Sequence, residues 1–501
     1  MQLDEDAKSI NDIEDPALEE NVKQKEEGNE TDPDDPRNEY SKTIEEVEDN
    51  DGENRNVKEE DKASVSSTMI TIMKAMIGCG ILNHPLIFRT LGAYSYFAVL
   101  AVTLFISSMS IVFLMKCKEI TQRYGYSMYA KLTFGSFGTF MMKFAIVMLT
   151  FGCSCIYLRI FGDVCQSLVT LFLEKSDKFY FQNNFYVIVV FFVLMPLMFK
   201  DDIAALKKFS FIGVLAVFIF LGSMVIVCIY KFINNEIAPF SQDMLYPDGN
   251  KLQIFATATA LLDSFTFQMN TFPIYLPLKP RNSKNMIKAS TTAIILTGII
   301  YALTGILGFT MYRRKLDNVV LVYFKEDVLL YKSKNIYITA VLMVCMVAFF
   351  ISALLSMPII FFALKKNLIT LLQFIKKKIF NRKDSKDIEE KTLAVSMVNT
   401  QVIMGSVGGG YKYLITFIAY CSVLFCTLCV DKIITINNIV GATVTNFITM
   451  IAPTLFFMKL NKDGSCCSFF GLSSRLIFLI GFGILSTFIT IQISGILGIQ
   501  L

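Results

Sequence analysis

Long apolar runs separated by short polar segments dominate the chain from residue 63 onwards. Three apolar windows contain isolated charged residues, at 63–88, 138–172 and 254–278. A helix of about 20 apolar residues crosses the roughly 30 Å of bilayer hydrocarbon, so the pattern predicts eleven membrane-spanning helices. The eight windows without any charged residue are 93–115, 180–199, 209–230, 289–312, 337–364, 413–430, 434–458 and 476–498.

Two of the windows that contain charges are also interrupted by helix-breaking residues. The first window contains Gly78, Gly80 and Pro85, and the sixth places Pro273 after a polar run at 263–270. Lipid cannot satisfy the backbone groups that a break releases, so such breaks persist only where they face protein or a water-filled cavity. The breaks lie five spans apart, which predicts an inverted 5+5 repeat with a binding site at the bilayer midplane. Ordinary packing kinks are the alternative interpretation.

Charge separates an acidic N-terminal segment from a basic, apolar remainder. Residues 1–62 hold 24 Asp/Glu and 8 Lys/Arg, whereas residues 63–501 hold 19 and 39. The first segment has too few apolar residues to order itself, so we predict a disordered acidic tail. Lysine and arginine concentrate in the loops after even-numbered spans, which places this tail in the cytosol and the C-terminus outside. The basic stretch 365–391 is then a predicted cytosolic loop, and 313–336 is a predicted outside loop. The predicted domains are the tail at 1–62 and an eleven-helix domain at 63–501, with repeats at about 63–232 and 254–458 and an extra helix at 476–498.

Composition also excludes several functional classes. The chain is 53% hydrophobic and only 18% charged, which is unlike a soluble enzyme or a nucleic-acid-binding protein. One histidine and twelve dispersed cysteines cannot supply a Ser/His/Asp triad, a histidine-based metal site or a disulfide framework. We therefore predict that the chain is not an enzyme, and we expect no catalytic residue, metal or cofactor.

The two breaks offer complementary groups to a small zwitterion. The N-terminus of a half-helix presents N–H groups to a carboxylate, and a C-terminal end presents carbonyls to an ammonium group. We expect carboxylate binding around 79–81 and amine binding around 265–268. The substrate-binding residues predicted at the breaks are Ile77, Gly78, Cys79, Gly80, Ile81, Asp263, Phe265, Thr266 and Gln268.

Four stretches in order along the chain carry a resemblance to a known family. Residues 74–85 read K-A-M-I-G-C-G-I-L-N-H-P. This is similar to N-A-I-V-G-S-G-I-L-G-L-P in the sodium-coupled neutral amino acid transporters, a branch of the amino acid/auxin permeases. Residues 272–284, 356–372 and 441–460 resemble later motifs of the same branch. The resemblance implies an all-helical membrane protein with eleven helices, a LeuT-like core and amino acid transport by alternating access. It also implies that Tyr157, which matches a tyrosine of the family's third helix, faces the substrate.

The chain departs from this branch where the resemblance implies sodium ligands. Lys74 replaces an asparagine of the first span, and Ser356 replaces a threonine of the eighth. We expect the Lys74 amine to take the place of the coupling Na⁺ and to point at Ser352 and Ser356, which share a helical face. Transport would then be sodium-independent or proton-coupled. The alternative is that Lys74 extends towards the cytosolic interface.

Other polar residues in the spans have open interpretations. Asp263 could pair with Lys74, bind the amine or a cationic side chain of the substrate, or carry a proton. Arg159 and Asp163 are spaced to pair with each other near the outer end of the third span. His84 is a candidate sensor of acidity.

The sequence therefore predicts a secondary-active amino acid transporter in the lipid bilayer, with H⁺ or Na⁺ as a coupling ion. The alternative is an amino acid sensor derived from a transporter, whose tail at 1–62 docks a cytosolic protein partner. The predicted location is the plasma membrane or the vacuolar/lysosomal membrane.

Overall fold

The computed structural model describes residues 63–172, 183–199, 210–237, 242–317, 319–332, 334–380, 409–430, 433–461 and 468–497. The predicted tail at 1–62 lies outside these described residues. Within the described ranges the secondary structure is helical, apart from one isolated β-bridge between Ala63 and Leu278. This agrees with the all-helical class that the apolar runs predict.

The described helices follow the apolar windows in order. They are α1 Val65–Met76, α2 His84–Thr121, α3 Tyr126–Phe172, α4 Asn183–Met198, α5 Ser210–Ile233, α6 Lys251–Asp263, α7 Thr271–Tyr275, α8 Ser283–Tyr312, α9 Val320–Tyr331, α10 Ile336–Phe380, α11 Gly409–Cys429, α12 Ile433–Val440, α13 Ala452–Leu460 and α14 Phe469–Leu497. Short 3₁₀ segments lie at Cys79–Asn83, Gln242–Leu245, Gln268–Asn270 and Arg313–Lys315. Two π-helical turns, Gly441–Thr445 and Phe447–Ile451, join α12 to α13.

Eight helices in the described part of the chain are long and apolar enough to cross a membrane. The predicted first, fourth and sixth spans are not among them, because α1, α4 and α6 have 12, 16 and 13 residues. Both α1 and α6 end where glycine, proline and polar residues predict a break. The count of eleven spans therefore remains a prediction that depends on joining the pieces on either side of each break.

The first and second predicted spans meet at a kink inside α2. Gly92 has a φ of 69° there, a conformation that residues with a side chain rarely adopt. A side chain at Gly92 would also collide with the backbone of Tyr246, since the Cβ would lie 2.3 Å from its carbonyl carbon. Glycine thus allows the chain to turn from the end of one predicted span into the next.

Two predicted loop regions are helical instead. The segment 313–336 contains α9, whose buried residues Val320, Phe324, Val328 and Tyr331 follow a helical period among charged neighbours. The basic stretch from Lys365, predicted to be a cytosolic loop, continues α10 to Phe380. Lysines interrupt the apolar run there without interrupting the helix, because straight-chain charged residues favour helices.

Helices of the two predicted repeats pack around the broken segments. The pairs α5–α10 and α2–α8 form the most extensive contacts, and α1 packs against both α5 and α8. The end of α1 is consequently enclosed by protein, which is the environment that a broken helix at bilayer depth requires.

Candidate functional site

The first break begins where α1 ends. The N–H of Ile77 donates to the carbonyl of Met73 and that of Gly78 to Met76, both at 2.7 Å. The 3₁₀ segment Cys79–Asn83 then starts after Gly78, which provides no side-chain cap. The first N–H groups of a helical segment lack intrahelical partners and attract anions. This end of the segment is therefore suited to a carboxylate.

The second break follows α6 and is supported by its own glutamine. Gln268 accepts from the N–H of Phe267 at 2.9 Å, and its Nε2 donates to Ser107 Oγ at 2.9 Å. The Ser107 hydroxyl in turn donates to the carbonyl of Phe265 at 3.3 Å. The Gln268 side chain, predicted to bind substrate, is thus engaged in holding the unwound backbone and linking it to α2.

The two breaks lie against each other. A Cβ at Gly80 would lie 3.0 Å from Ser264 Oγ, and a Cβ at Gly78 would lie 2.5 Å from the Tyr157 hydroxyl oxygen. Tyr301 of α8 spans both, since its hydroxyl lies 2.8 Å from the Met76 carbonyl and 3.1 Å from the Ser264 carbonyl. One hydroxyl group therefore connects the C-terminal ends of α1 and α6. The sequence did not indicate this role of Tyr301, because a tyrosine in an apolar run is usually a packing residue.

The structure brings most of the predicted substrate residues together at this contact. Ile77, Ile81, Tyr157 and Phe265 are all buried there. Gly80 approaches Ser264 of the second break, and Gly78 approaches Tyr157 of α3. Cys79 lies between them in the chain.

Asp263 and Thr266 turn towards the π-helical turns of the tenth predicted span. Asp263 accepts a hydrogen bond from the Thr445 hydroxyl. Thr266 Oγ1 lies 3.5 Å from Thr449 Oγ1. The carboxylate of Asp263 thus has a hydroxyl partner, whereas the Lys74 amine donates to a different helix.

The Lys74 amine lies in a cage of neutral oxygen atoms. Its Nζ donates to Ser352 Oγ at 3.0 Å and to the Ser352 carbonyl at 3.2 Å. Ser352 Oγ donates to the Gly213 carbonyl at 3.1 Å, and Ser356 Oγ donates to the Ser352 carbonyl at 2.8 Å. We call Lys74, Gly213, Ser352 and Ser356 the lysine cage. It joins α1, α5 and α10.

Glycine at position 213 makes room for the cage. A Cβ there would lie 2.6 Å from both Cε and Nζ of Lys74. The sequence predicted that the Lys74 amine points at both Ser352 and Ser356. The amine donates to Ser352, whereas the Ser356 hydroxyl donates to the Ser352 carbonyl instead. The sequence did not predict Gly213, because one glycine in an apolar run gives no indication of its neighbours.

The other predicted polar residues lie apart from the cage. Arg159 Nε lies 3.9 Å from Asp163 Oδ1, and Arg159 Nη1 donates to Asn184 Oδ1 at 2.9 Å. His84 is fully buried, with its Nδ1 2.8 Å from the Tyr96 hydroxyl oxygen and its ring stacked on that of Tyr301. The pairing of Arg159 with Asp163 is present as expected.

The sequence did not predict a second buried cluster of charged residues. Lys231 of α5 pairs with Asp327 of α9 at 2.7 Å, and the Tyr312 hydroxyl donates to the same carboxylate. The Lys231 amine also lies 4.4 Å from the centre of the Tyr312 ring. Lys231 lies just beyond an apolar window and Asp327 lies in a predicted loop, so nothing in the sequence linked them.

Comparisons with known proteins agree on one family. The sequence profile of the family described as "Transmembrane amino acid transporter protein" matches residues 61–494. "Amino acid transporter AVT6C" of Arabidopsis thaliana is 26% identical over 347 residues, which cover 66% of this chain and 77% of that protein. "Sodium-coupled neutral amino acid transporter 7" of Homo sapiens is 22% identical over 286 residues, covering 56% of this chain and 61%, or less than two thirds, of that protein.

Solved structures add only a weak likeness. A Na⁺-coupled sialic acid symporter in a substrate-bound outward-open state aligns with a TM-score of 0.48 at 9% identity. The alignment covers 89% of this chain and 95% of that one. A similarity of this size does not assign the fold.

Proposed function

The chain belongs to the transmembrane amino acid transporter family, and we propose that it is a sodium-independent, secondary-active amino acid transporter working by alternating access. The family confirms the resemblance carried by the four motifs, and it makes the chain a multi-pass membrane protein. Its relatives are transporters rather than enzymes. The observation that carries the sodium-independent mechanism is the hydrogen bonding of the Lys74 amine to Ser352.

Electrostatics supports the absence of a sodium ion from the lysine cage. Carbonyl and hydroxyl oxygens are the usual ligands of coupling cations in transporters with broken helices, and the lysine cage offers both kinds from Ser352 of α10. Here an ammonium group already donates to these oxygens. A Na⁺ bound to the same atoms would lie within about 4 Å of it, where two unit charges repel by about 4 kcal/mol at an effective dielectric of 20. The amine and the ion therefore exclude each other.

The facing breaks support a midplane site for the backbone of an amino acid. We assign the carboxylate to the N–H groups around 79–81 and the amine to the carbonyls around 265–268. Tyr157 borders the same space beside Gly78. Gln268 contributes by positioning the backbone, because both of its polar groups are already bonded.

The same contacts suggest how the site changes access. The lysine cage attaches α1 to α5 and α10, so α1 can move only when the Lys74 amine leaves Ser352. Loss of a proton from the amine would weaken these hydrogen bonds, which gives a route to proton coupling.

The proposal includes eleven spans, repeats at about 63–232 and 254–458, and a cytosolic tail at 1–62. The relatives carry transporter names, and the sensor alternative gains no support from them.

Uptake into proteoliposomes tests this function. A mixture of radiolabelled amino acids is offered under a Na⁺ gradient, an H⁺ gradient or neither, with empty liposomes as the background. We expect uptake above background without Na⁺. Uptake that requires the Na⁺ gradient would contradict sodium independence, and the absence of uptake under every condition would contradict transport itself.

Matched variants connect the result to the cage. Lys74→Asn removes the buried amine, and Lys334→Asn removes an exposed lysine between α9 and α10. Only the first should change uptake. Equal changes in both would show that the loss of a positive charge anywhere on the protein is sufficient.

A further inference from the structure

Two neighbouring residues at the first break bury polar atoms that have no partner among the described residues. Asn83 and His84 are both 0% exposed. The Nδ2 and Oδ1 atoms of Asn83 and the Nε2 atom of His84 all lack a hydrogen bond. Buried polar groups in proteins are almost always paired, and an unpaired one destabilises the fold. An amide whose two polar atoms both lack a partner in the described part of the chain therefore indicates a bound ligand as its partner.

The helical period places Asn83 on the face that meets the second break. The segment Cys79–Asn83 is a 3₁₀ helix, in which residues three apart lie directly above one another. Asn83 therefore lies over Gly80, whose missing side chain faces Ser264. It is about 8 Å from Cys79 along the axis, at about 2 Å per residue. Side chains also lean towards the N-terminus of a helix, which brings the amide back towards the break.

His84 is held in the same layer by two aromatic residues. Its Nδ1 lies 2.8 Å from the Tyr96 hydroxyl oxygen, and its ring stacks on Tyr301 with centres 4.1 Å apart. Tyr301 also contacts Phe265 of the second break, and the centres of these two rings lie 5.2 Å apart. With one nitrogen and one face of the ring fixed, Nε2 has a fixed position beside the two breaks.

The motif at residues 74–85 differs from the similar motif of the sodium-coupled branch at these two polar residues. The similar motif of the sodium-coupled branch has glycine and leucine where this chain has Asn83 and His84. Packing alone would not favour that change, because it adds buried polar atoms that find no partner within the described ranges. A ligand that pairs with them accounts for it.

We propose that Asn83, together with His84 Nε2, binds the side chain of the transported amino acid and selects neutral side chains that both donate and accept hydrogen bonds. This inference rests on the proposed function, because it assumes that the substrate backbone occupies the breaks. The Asn83 amide offers a donating NH₂ group and an accepting carbonyl oxygen, which match a hydroxyl or an amide group. An aliphatic side chain of equal size leaves the amide unpaired, so the site discriminates against it.

Binding to the purified protein in detergent tests the selection without requiring transport. The probes are two pairs of similar size, threonine with valine and glutamine with methionine, and the readout is the melting temperature as each is titrated. We expect the polar member of at least one pair to reach half-saturation at a concentration at least tenfold lower. In Asn83→Leu, this difference should fall to twofold or less. Asn83→Gly, with the residue of the similar motif, is a second variant with the same expectation.

The stability of the ligand-free variants separates recognition from a structural role. Asn83→Leu removes unpaired polar atoms, so its melting temperature should equal or exceed that of the wild type. Asn446→Leu is the matched control, because the Asn446 amide donates to the Gly481 carbonyl at 2.7 Å and joins the tenth span to α14. That control should melt at a lower temperature and keep the preference for polar amino acids.

The outcomes distinguish this inference from the proposed function. Equal binding within both pairs, or a preference that survives in Asn83→Leu, would overturn the selection and leave a bound water as the partner of Asn83. Selective binding without uptake into proteoliposomes would contradict transport but support the selection. If none of the four amino acids binds while uptake into proteoliposomes is observed, the selection is overturned and the transport function stands.

Discussion

Two buried lysines of this protein have opposite surroundings. Lys74 and Lys231 are 9% and 6% exposed. The amine of Lys231 lies 2.7 Å from a carboxylate, that of Asp327, and over the ring of Tyr312. The amine of Lys74 donates to the hydroxyl and the carbonyl of Ser352, which are both neutral. One positive charge is compensated inside the protein, and the other is held by dipoles alone.

The difference indicates which lysine stabilises the fold and which one serves transport. A compensated pair between α5 and α9 fixes the position of both helices and leaves no net charge to move. An uncompensated charge at membrane depth is expensive, and residues of this kind are functional candidates by default. The stability of the protein should therefore depend on Lys231, and its transport on Lys74.

Breaking the compensated pair should have the largest effect on stability. Asp327→Leu leaves the Lys231 amine buried without its carboxylate, so we expect the free energy of unfolding to fall by about 3–5 kcal/mol. Chemical unfolding in detergent measures this change. Lys231→Leu combined with Asp327→Leu should recover most of the loss, because apolar residues replace a buried pair at little cost. If Asp327→Leu is as stable as the wild type, the pair does not stabilise the fold, and the proposed difference between Lys231 and Lys74 is contradicted.

Removing the uncompensated charge should affect transport instead. Lys74→Met keeps an unbranched side chain that is one atom shorter and uncharged. We expect amino acid uptake to fall about a hundredfold, or about 2.7 kcal/mol in transition-state terms. The free energy of unfolding should stay within about 1 kcal/mol of the wild type, because no carboxylate is left unpaired. Lys231→Met is the matched variant and should be strongly destabilised. Comparable destabilisation in both variants would contradict the assignment.

Replacing the two serines of the lysine cage should reduce amino acid uptake by different amounts. Ser352→Ala removes one of the two acceptors of the Lys74 amine, so uptake should fall about tenfold, equivalent to about 1.4 kcal/mol. Ser356→Ala removes a hydroxyl that bonds to the Ser352 carbonyl rather than to the amine. Uptake by this second variant should change about twofold at most. Initial rates in proteoliposomes measure both, and the reverse order would show that the amine acts through Ser356.

A modest effect on both stability and uptake is expected at the contact between the two breaks. Tyr301→Phe keeps the aromatic stacking and removes one hydroxyl, so the free energy of unfolding should fall by about 1 kcal/mol. We expect uptake to fall several-fold as well, since this hydroxyl connects Met76 to Ser264. Tyr420→Phe is the control, because the Tyr420 hydroxyl donates to the Phe191 carbonyl and so joins α11 to α4 rather than the two breaks. A loss of uptake in Tyr420→Phe as large as that in Tyr301→Phe would argue against a special role of the breaks.

Sequence patterns predicted the features that interrupt the apolar background. Glycine and proline in the first and sixth spans indicate the breaks, and the structure ends α1 at Met76 and α6 at Asp263. The approach of Lys74 to Ser352 followed from the resemblance, and its role in coupling stays a prediction. The breaks and Lys74 could be recognised in the sequence because polar and charged residues are rare at bilayer depth.

Features that depend on tertiary neighbours could not be predicted in this way. Tyr301 and Gly213 lie in uninterrupted apolar runs, where many arrangements of the helices fit the same pattern. The charged segment of α9 resembled a loop because its apolar face is short. The unpaired atoms of Asn83 became visible only when its neighbours were placed.

Replacing Na⁺ by choline at fixed pH tests the central claim most directly, that the Lys74 ammonium group takes the place of a coupling sodium ion. Uptake is measured side by side for the wild type and for Lys74→Asn, which restores the residue of the sodium-coupled branch. The account predicts that wild-type uptake changes less than twofold and that any residual uptake by Lys74→Asn requires Na⁺. Wild-type uptake that collapses in choline would contradict the claim.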